Sequence, residues 1–238
     1  ALSLRLAAIL VLWGWRTVDD LNRRLPEGDL TPLASRLLLA ALPVLVLAAM
    51  ETQRALATLA GSAPVDCCVV VYDQAAVAGG PAQLVSDAVW LAGCGLLSLT
   101  LLTLAGRGAL GRGPVARSQP LTLAAVAFAW AVAAHQALKG SLAAYHYQVL
   151  QHRCPWCLLL PEHKGIGWPL YAALIVVLLE AVAGFAAAAA GSRHPALVPP
   201  ARARFRRACR RMAAAAAIFV TLAALPALVW RLRHGLWL

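Results

Sequence analysis

The chain has 238 residues, of which 61% are hydrophobic and only 13% charged, and its net charge is +11. Its mean hydropathy is +0.72, whereas a soluble domain is less apolar and carries about twice the share of charged residues. The composition therefore excludes a soluble protein. It also excludes nucleic-acid binding as the reason for the basic charge, because the arginines lie in short blocks between apolar runs, where they act as topology signals.

Alanine and leucine dominate the apolar runs, which predicts helical spans rather than barrel strands. The predicted fold is an all-α, polytopic transmembrane bundle in a lipid bilayer. The first run, residues 2–15, is short for a span of about 20 residues, and no small-residue cleavage site follows it. We predict a short N-terminal hydrophobic helix within residues 1–35, followed by a cytoplasmic segment. Whether residues 2–15 cross the membrane stays open.

Five longer apolar segments follow, and each is long enough to cross about 30 Å of hydrocarbon. The third can continue as helix toward Tyr147. The first four are predicted to form a four-helix core over residues 36–190. A basic, proline-broken linker and one extra C-terminal helix are predicted to make up residues 191–238. The five segments are residues 37–60, 85–105, 121–138, 168–190 and 212–230.

Arginine is distributed unequally among the connections. Residues 16–36, 106–120 and 191–211 contain four, three and seven arginines, whereas residues 61–84 contain neither Lys nor Arg. Residues 139–167 contain only Lys139, Arg153 and Lys164. By the positive-inside rule the arginine-rich connections are cytoplasmic. Residues 61–84 and 139–167 are then predicted to share the periplasmic side of a bacterial inner membrane.

Four of the six cysteines fall in the two predicted periplasmic connections, where disulfide chemistry is favoured. They are Cys67, Cys68, Cys154 and Cys157. Cys94 is predicted to be a packing residue within a span, and Cys209 an unpaired thiol in the basic segment. A Cys-x-x-Cys pair such as Cys154 and Cys157 can open and close a small disulfide ring, and nearby cationic side chains favour the thiolate that exchange requires.

A disulfide between the adjacent Cys67 and Cys68 would be strained and easily reduced. Alternatively, one of the two exchanges with the Cys154–Cys157 pair. The sequence CPWC also permits a structural disulfide or a metal site. Trp156, Trp168 and Tyr171 are read either as interfacial aromatics or as the lining of a quinone site. No basic residue lies in the same span as Glu180, so we expect this carboxylate to lie near the cytoplasmic interface or to pair with another helix.

The order of spans and cysteines over about residues 36–190 resembles the vitamin K epoxide reductase family, including its bacterial disulfide-forming members. One span leads outward, a connection with two cysteines follows, and CPWC lies at the outer end of the fourth span. The resemblance implies that Cys67 and Cys68 accept electrons from a substrate protein or a separate thioredoxin-like partner. Cys154 and Cys157 would then pass these electrons to a quinone.

Two alternatives remain at the level of the sequence. The first is a membrane protein that handles copper or another soft metal. In this case Cu(I) would be held by the four cysteines together with His152 and His163. The second is a non-catalytic subunit of a larger membrane complex, in which the cysteines form structural disulfides only.

Overall fold

The computed structural model describes residues 2–25, 30–59, 86–111, 118–148 and 154–237. These residues form α-helices joined by short 3₁₀ and π-helical turns, and no strand occurs among them. A π-helical turn, Leu138–Leu142, connects the helices Ser118–Ala137 and Ala143–Tyr147. The helices are α1 (Leu2–Asn22), α2 (Thr31–Leu59), α3 (Asp87–Leu110), α4 (Ser118–Ala137), α5 (Ala143–Tyr147), α6 (Gly167–Gly191) and α7 (Val198–His234).

Five helical segments are long and apolar enough to cross a membrane. They contain α2, α3, α4 with α5, α6 and α7, so all five predicted segments are confirmed as helices. The third span runs through the π-helical turn to Tyr147, as the sequence predicted. Within a bilayer a helix satisfies its own backbone hydrogen bonds, which explains why these alanine- and leucine-rich runs adopt this structure. The predicted all-α transmembrane bundle is confirmed.

The predicted N-terminal helix is present and is longer than residues 2–15, because α1 continues to Asn22. It is not among the five candidate spans. The side chain of Arg5 hydrogen-bonds Thr52 Oγ1 on α2. At the other end of α1, the Asn22 side chain binds both the Leu30 backbone N–H and the Thr31 hydroxyl. These contacts hold α1 and α2 together as an antiparallel pair.

The prediction of a proline-broken linker is wrong for residues 198–211, because these residues form the first part of α7. Pro199 and Pro200 lie in the first turn of the helix, where a missing N–H costs no intrahelical bond. This part of α7 buries one apolar face at helical spacing. The buried residues are Ala201, Phe205, Ala208, Cys209 and Met212.

Compact packing divides the described residues into two units. The first unit consists of residues from Ala1–Pro64, Gly106–Ala124 and Leu178–Arg210. Its apolar centre combines residues of α1, α2, α6 and α7 with the 3₁₀ turn Pro195–Leu197. The core residues are Val18, Leu21, Leu25, Leu30, Ala34, Ala187, Ala190, Leu197 and Ala201.

The first unit also contains a buried ion pair. Arg204 Nη1 of α7 lies 2.6 Å from Glu180 Oε2 of α6, and the side-chain exposures are 19% and 4%. The sequence predicted an interhelical partner for Glu180 as one of two possibilities, and the structure identifies that partner as Arg204. A carboxylate buried among apolar helices requires such compensation, since an isolated charge there is strongly unfavourable.

The second unit consists of residues from Val65–Ala105, Ala125–Val177 and Arg211–Leu238. Trp130 of α4 is fully buried, and its Nε1–H donates to Ser98 Oγ of α3 at 2.8 Å. The Ser98 hydroxyl donates in turn to the Cys94 carbonyl oxygen at 2.6 Å. The Trp130 ring also meets Phe219 of α7 edge to face, with centroids 5.3 Å apart. A satisfied polar contact and an aromatic contact therefore connect α3, α4 and α7.

Candidate functional site

Cys154 and Cys157 lie on one tight turn before α6. We call residues 154–159 the cysteine turn. Cys154 is the N-cap of a 3₁₀ helix, Pro155–Leu159, and Pro155 occupies a position where no backbone donor is needed. The Cys157 N–H donates to the Cys154 carbonyl oxygen at 3.3 Å. A turn closed in this way keeps the two Cα atoms within about 7 Å, which a disulfide can bridge. The sequence motif thus has a backbone geometry compatible with reversible disulfide formation.

Both cysteines of this turn are buried thiols. Cys154 is 2% exposed and Cys157 is 8% exposed. Leu158, the next residue, is completely buried and helps to anchor the turn in the second unit. Because thiol–disulfide exchange requires access to a sulfur atom, an attacking group must reach this pair through the residues that cover it.

Tyr147 connects the end of α5 to the cysteine turn. Its hydroxyl donates to the Cys154 carbonyl oxygen at 2.6 Å, and its ring meets that of His163 at a centroid distance of 4.4 Å. Tyr147 thus contacts residues both at the start of the cysteine turn and beyond it. Sequence reasoning did not select Tyr147. The signal for it was an aromatic residue at the end of an extended apolar segment, seven positions before Cys154.

After the cysteine turn, the chain reverses its direction at Lys164 and Gly165 and enters α6. Lys164 and Gly165 both have positive φ angles, 57° and 59°, which give the reversal its left-handed backbone. A Cβ atom at Gly167 would lie 2.8 Å from the Leu158 carbonyl carbon and 2.9 Å from the Leu159 nitrogen. Only glycine allows this approach, so the first residue of α6 is pressed against the backbone of the cysteine turn.

The three aromatic residues predicted to line a quinone site do not all come together. The rings of Trp156 and Tyr171 are stacked, with centroids 5.3 Å apart and an interplanar angle of 10°. Trp168 is instead 66% exposed, and its Nε1–H donates to the Leu159 carbonyl oxygen at 3.2 Å. Two of the three residues therefore form one aromatic surface beside the cysteines, and the third supports the turn.

Tyr171 also lies near groups that can exchange protons. Its ring centroid is 6.1 Å from that of His135 on α4, and its stacking on Trp156 places it beside the cysteine turn. The Tyr171 hydroxyl is buried, and no described residue accepts or donates a hydrogen bond to it. Tyr171 is thus the residue that brings the aromatic stack, a histidine and a cysteine into one neighbourhood.

Several predicted site residues lie outside the described part of the chain, namely Cys67, Cys68 and His152. The predicted proximity of the two cysteine pairs, and the four-cysteine metal site, stay predictions for this reason. Among the described residues no group of three or more His, Cys, Asp or Glu side chains is arranged to hold a metal ion. Cys94 and Cys209, in α3 and α7, are both buried free thiols.

No protein-family model, curated protein or solved structure matches this chain. The resemblance to the vitamin K epoxide reductase family therefore stays a prediction based on the order of spans and cysteines.

Proposed function

We propose that the protein is a membrane thiol–disulfide oxidoreductase of the vitamin K epoxide reductase type. In this proposal Cys154 and Cys157 are the redox pair, and a lipid-soluble quinone is the electron acceptor. The supporting observation is the cysteine turn itself, which holds two buried thiols on one hydrogen-bonded turn beside the stacked rings of Trp156 and Tyr171. A flat, apolar aromatic surface next to a dithiol suits a flat, apolar oxidant.

The proposed reaction balances as two coupled exchanges. In the first, a partner dithiol reduces the Cys154–Cys157 disulfide, so that the partner gains a disulfide and the two cysteines become thiols. In the second, the two thiols reform their disulfide and release two electrons and two protons. The quinone takes up both and leaves as a hydroquinone. The net reaction converts one partner dithiol and one quinone into one disulfide and one hydroquinone.

We propose that the first exchange takes place on the periplasmic side of a bacterial inner membrane. The arginine distribution supports this orientation, because residues 61–84 and 139–167 are the arginine-poor connections. The start of α3 supports a common location for them. A Cβ atom at Gly140 would lie 2.5 Å from Asp87 Oδ1, so the first turn of α3, which follows the first connection in the chain, meets the start of the second connection. Cys67 and Cys68 would relay electrons from a separate thioredoxin-like or substrate protein.

Replacement of single cysteines by alanine tests the proposal in purified protein. Wild-type protein should reduce a soluble quinone analogue when a small dithiol is supplied, and the absorbance change of the quinone measures the rate. Cys157→Ala and Cys154→Ala should each lower this rate at least 100-fold, since neither variant can form the disulfide. Cys94→Ala and Cys209→Ala are matched controls, because they remove buried free thiols in other parts of the helices.

Three outcomes distinguish the proposal from its alternatives. Quinone reduction that is lost only in the Cys154 and Cys157 variants supports it. Stoichiometric Cu(I) binding by reduced wild-type protein, lost in the same variants and without quinone turnover, would favour the metal-handling alternative. If neither activity appears and the cysteines stay in disulfides that resist reduction, the protein is better described as a non-catalytic subunit of a larger complex.

A further inference from the structure

Helix α7 is longer than the membrane is thick. It contains 37 residues and therefore extends for about 55 Å, compared with about 30 Å of hydrocarbon. Residues 212–230 contain no charged side chain and account for about 28 Å of this length. If this charge-free part fills the hydrocarbon, Arg211 lies at one boundary, with Arg210 directly before it, and Arg231 lies at the other. The arginine-rich first part of α7, residues 198–211, then lies outside the hydrocarbon, and its last residues are at the level of the lipid headgroups.

The arginines of this first part differ in what they contact. Arg204 binds Glu180, and the Arg206 guanidinium donates to the Gly111 carbonyl oxygen at the end of α3. Arg207 and Arg210 are exposed, and no carboxylate among the described residues pairs with either of them. Two guanidinium groups one turn apart thus face outward at headgroup depth without a protein counter-charge.

The end of α3 adds a third cation to this surface. A Cβ atom at Gly108 would lie 2.5 Å from Cys209 Sγ and 3.4 Å from Phe205 Cε1, so α3 and α7 approach each other closely at this glycine. Arg107, the preceding residue, is exposed and also lacks a carboxylate partner among the described residues. The close approach therefore places Arg107 at the same end of the two helices as Arg207 and Arg210.

We propose that Arg107, Arg207 and Arg210 form a binding surface for the headgroups of anionic phospholipids. A guanidinium group matches a phosphodiester in both charge and hydrogen-bond geometry. An arginine near an anionic membrane surface is attracted to it, and the attraction falls off within a Debye length. The three arginines lie on two packed helices, so the positions of their Cα atoms are fixed relative to one another. This proposal does not depend on the thiol chemistry of the cysteine turn.

The test uses the full-length protein in lipid nanodiscs and compares two double variants of α7. Native mass spectrometry measures how many phosphatidylglycerol molecules stay bound after release from discs containing equal amounts of phosphatidylglycerol and phosphatidylcholine. Arg207→Gln/Arg210→Gln should lower the relative affinity for phosphatidylglycerol about 30-fold, at about a fivefold loss for each arginine. Arg231→Gln/Arg233→Gln removes the same charge at the other end of α7 and should leave the affinity within twofold of wild type.

Two further measurements separate a lipid surface from a site for free phosphate and from a response to net charge. Inorganic phosphate at millimolar concentration should not displace the bound lipid, whereas raising the salt concentration should weaken binding in wild type more than in Arg207→Gln/Arg210→Gln. Equal losses in the two double variants would overturn the proposal, because they would show a response to net charge alone. Displacement by phosphate, or equal binding of the two lipids by wild type, would also overturn it.

Discussion

The Glu180–Arg204 pair and the Cys154–Cys157 turn are both buried polar regions of a largely apolar protein, but their chemical groups are satisfied to different degrees. In the first region a carboxylate and a guanidinium meet at 2.6 Å, and both come from long helices. In the second region, two thiols are buried in a short 3₁₀ turn, and the hydroxyl of Tyr171 is buried beside it. The ion pair neutralises the charge of its own region, whereas the cysteine turn retains groups that can still react.

Under the proposed function, the ion pair has a structural role and the cysteine turn has a chemical one. A compensated ion pair fixes the relative placement of α6 and α7 and leaves no group for a substrate. The cysteine turn is positioned instead by its surroundings, namely the Tyr147 hydroxyl and the close approach of Gly167. Mutations in the first region should therefore affect stability most, and mutations in the second should affect thiol reactivity more than stability.

The largest expected effect on stability comes from Arg204→Ala, which removes the guanidinium that lies 2.6 Å from the buried Glu180 carboxylate. We expect a loss of about 3–5 kcal/mol in the free energy of unfolding, measured by thermal or denaturant unfolding in detergent. Glu180→Leu/Arg204→Leu should regain most of this loss, because it removes both charges together. Arg207→Ala, one turn away and exposed, serves as the control. A loss below about 1 kcal/mol in Arg204→Ala would show that the pair is not a structural contact.

A smaller effect is expected from Gly167→Ala, because the added Cβ would clash with the backbone of Leu158 and Leu159. We expect a destabilisation of about 1–3 kcal/mol together with faster alkylation of Cys154 and Cys157 by a small thiol reagent. Gly93→Ala is the matched control, since a Cβ there meets no atom within 4 Å and alanine favours the helix. Identical alkylation rates in wild type and Gly167→Ala would contradict the proposed support of the turn by α6.

The smallest effect is expected from Tyr147→Phe, which keeps the ring against His163 but removes the hydrogen bond to the Cys154 carbonyl. The free energy of unfolding should fall by about 1 kcal/mol, and alkylation of Cys154 should become several-fold faster. Tyr171→Phe removes a hydroxyl that has no partner among the described residues. It should therefore leave stability unchanged, and an equal loss in both variants would show that the hydrogen bond does not hold the turn.

Much of the fold was predictable from the sequence because the bilayer imposes a simple rule. A run of about 20 apolar residues has to satisfy its backbone internally and becomes a helix, so all five predicted spans appear in the structure. The start of α7 was not predictable in this way. Pro199 and Pro200 indicate a break when read alone, but they are also compatible with a first helical turn, and the buried face containing Phe205 favours the helix.

By itself the sequence determined the helical class, the spans and the presence of a Cys-x-x-Cys pair, since these depend on composition and on neighbours along the chain. Only the tertiary structure decided that Glu180 pairs with Arg204, 24 residues away, and that Tyr147 holds the turn at Cys154. It also decided that Trp156, rather than Trp168, stacks on Tyr171. Such contacts depend on how helices pack and on where a reversal such as that at Lys164 and Gly165 directs the chain. Hydropathy does not encode these details, because many packings bury the same apolar residues equally well.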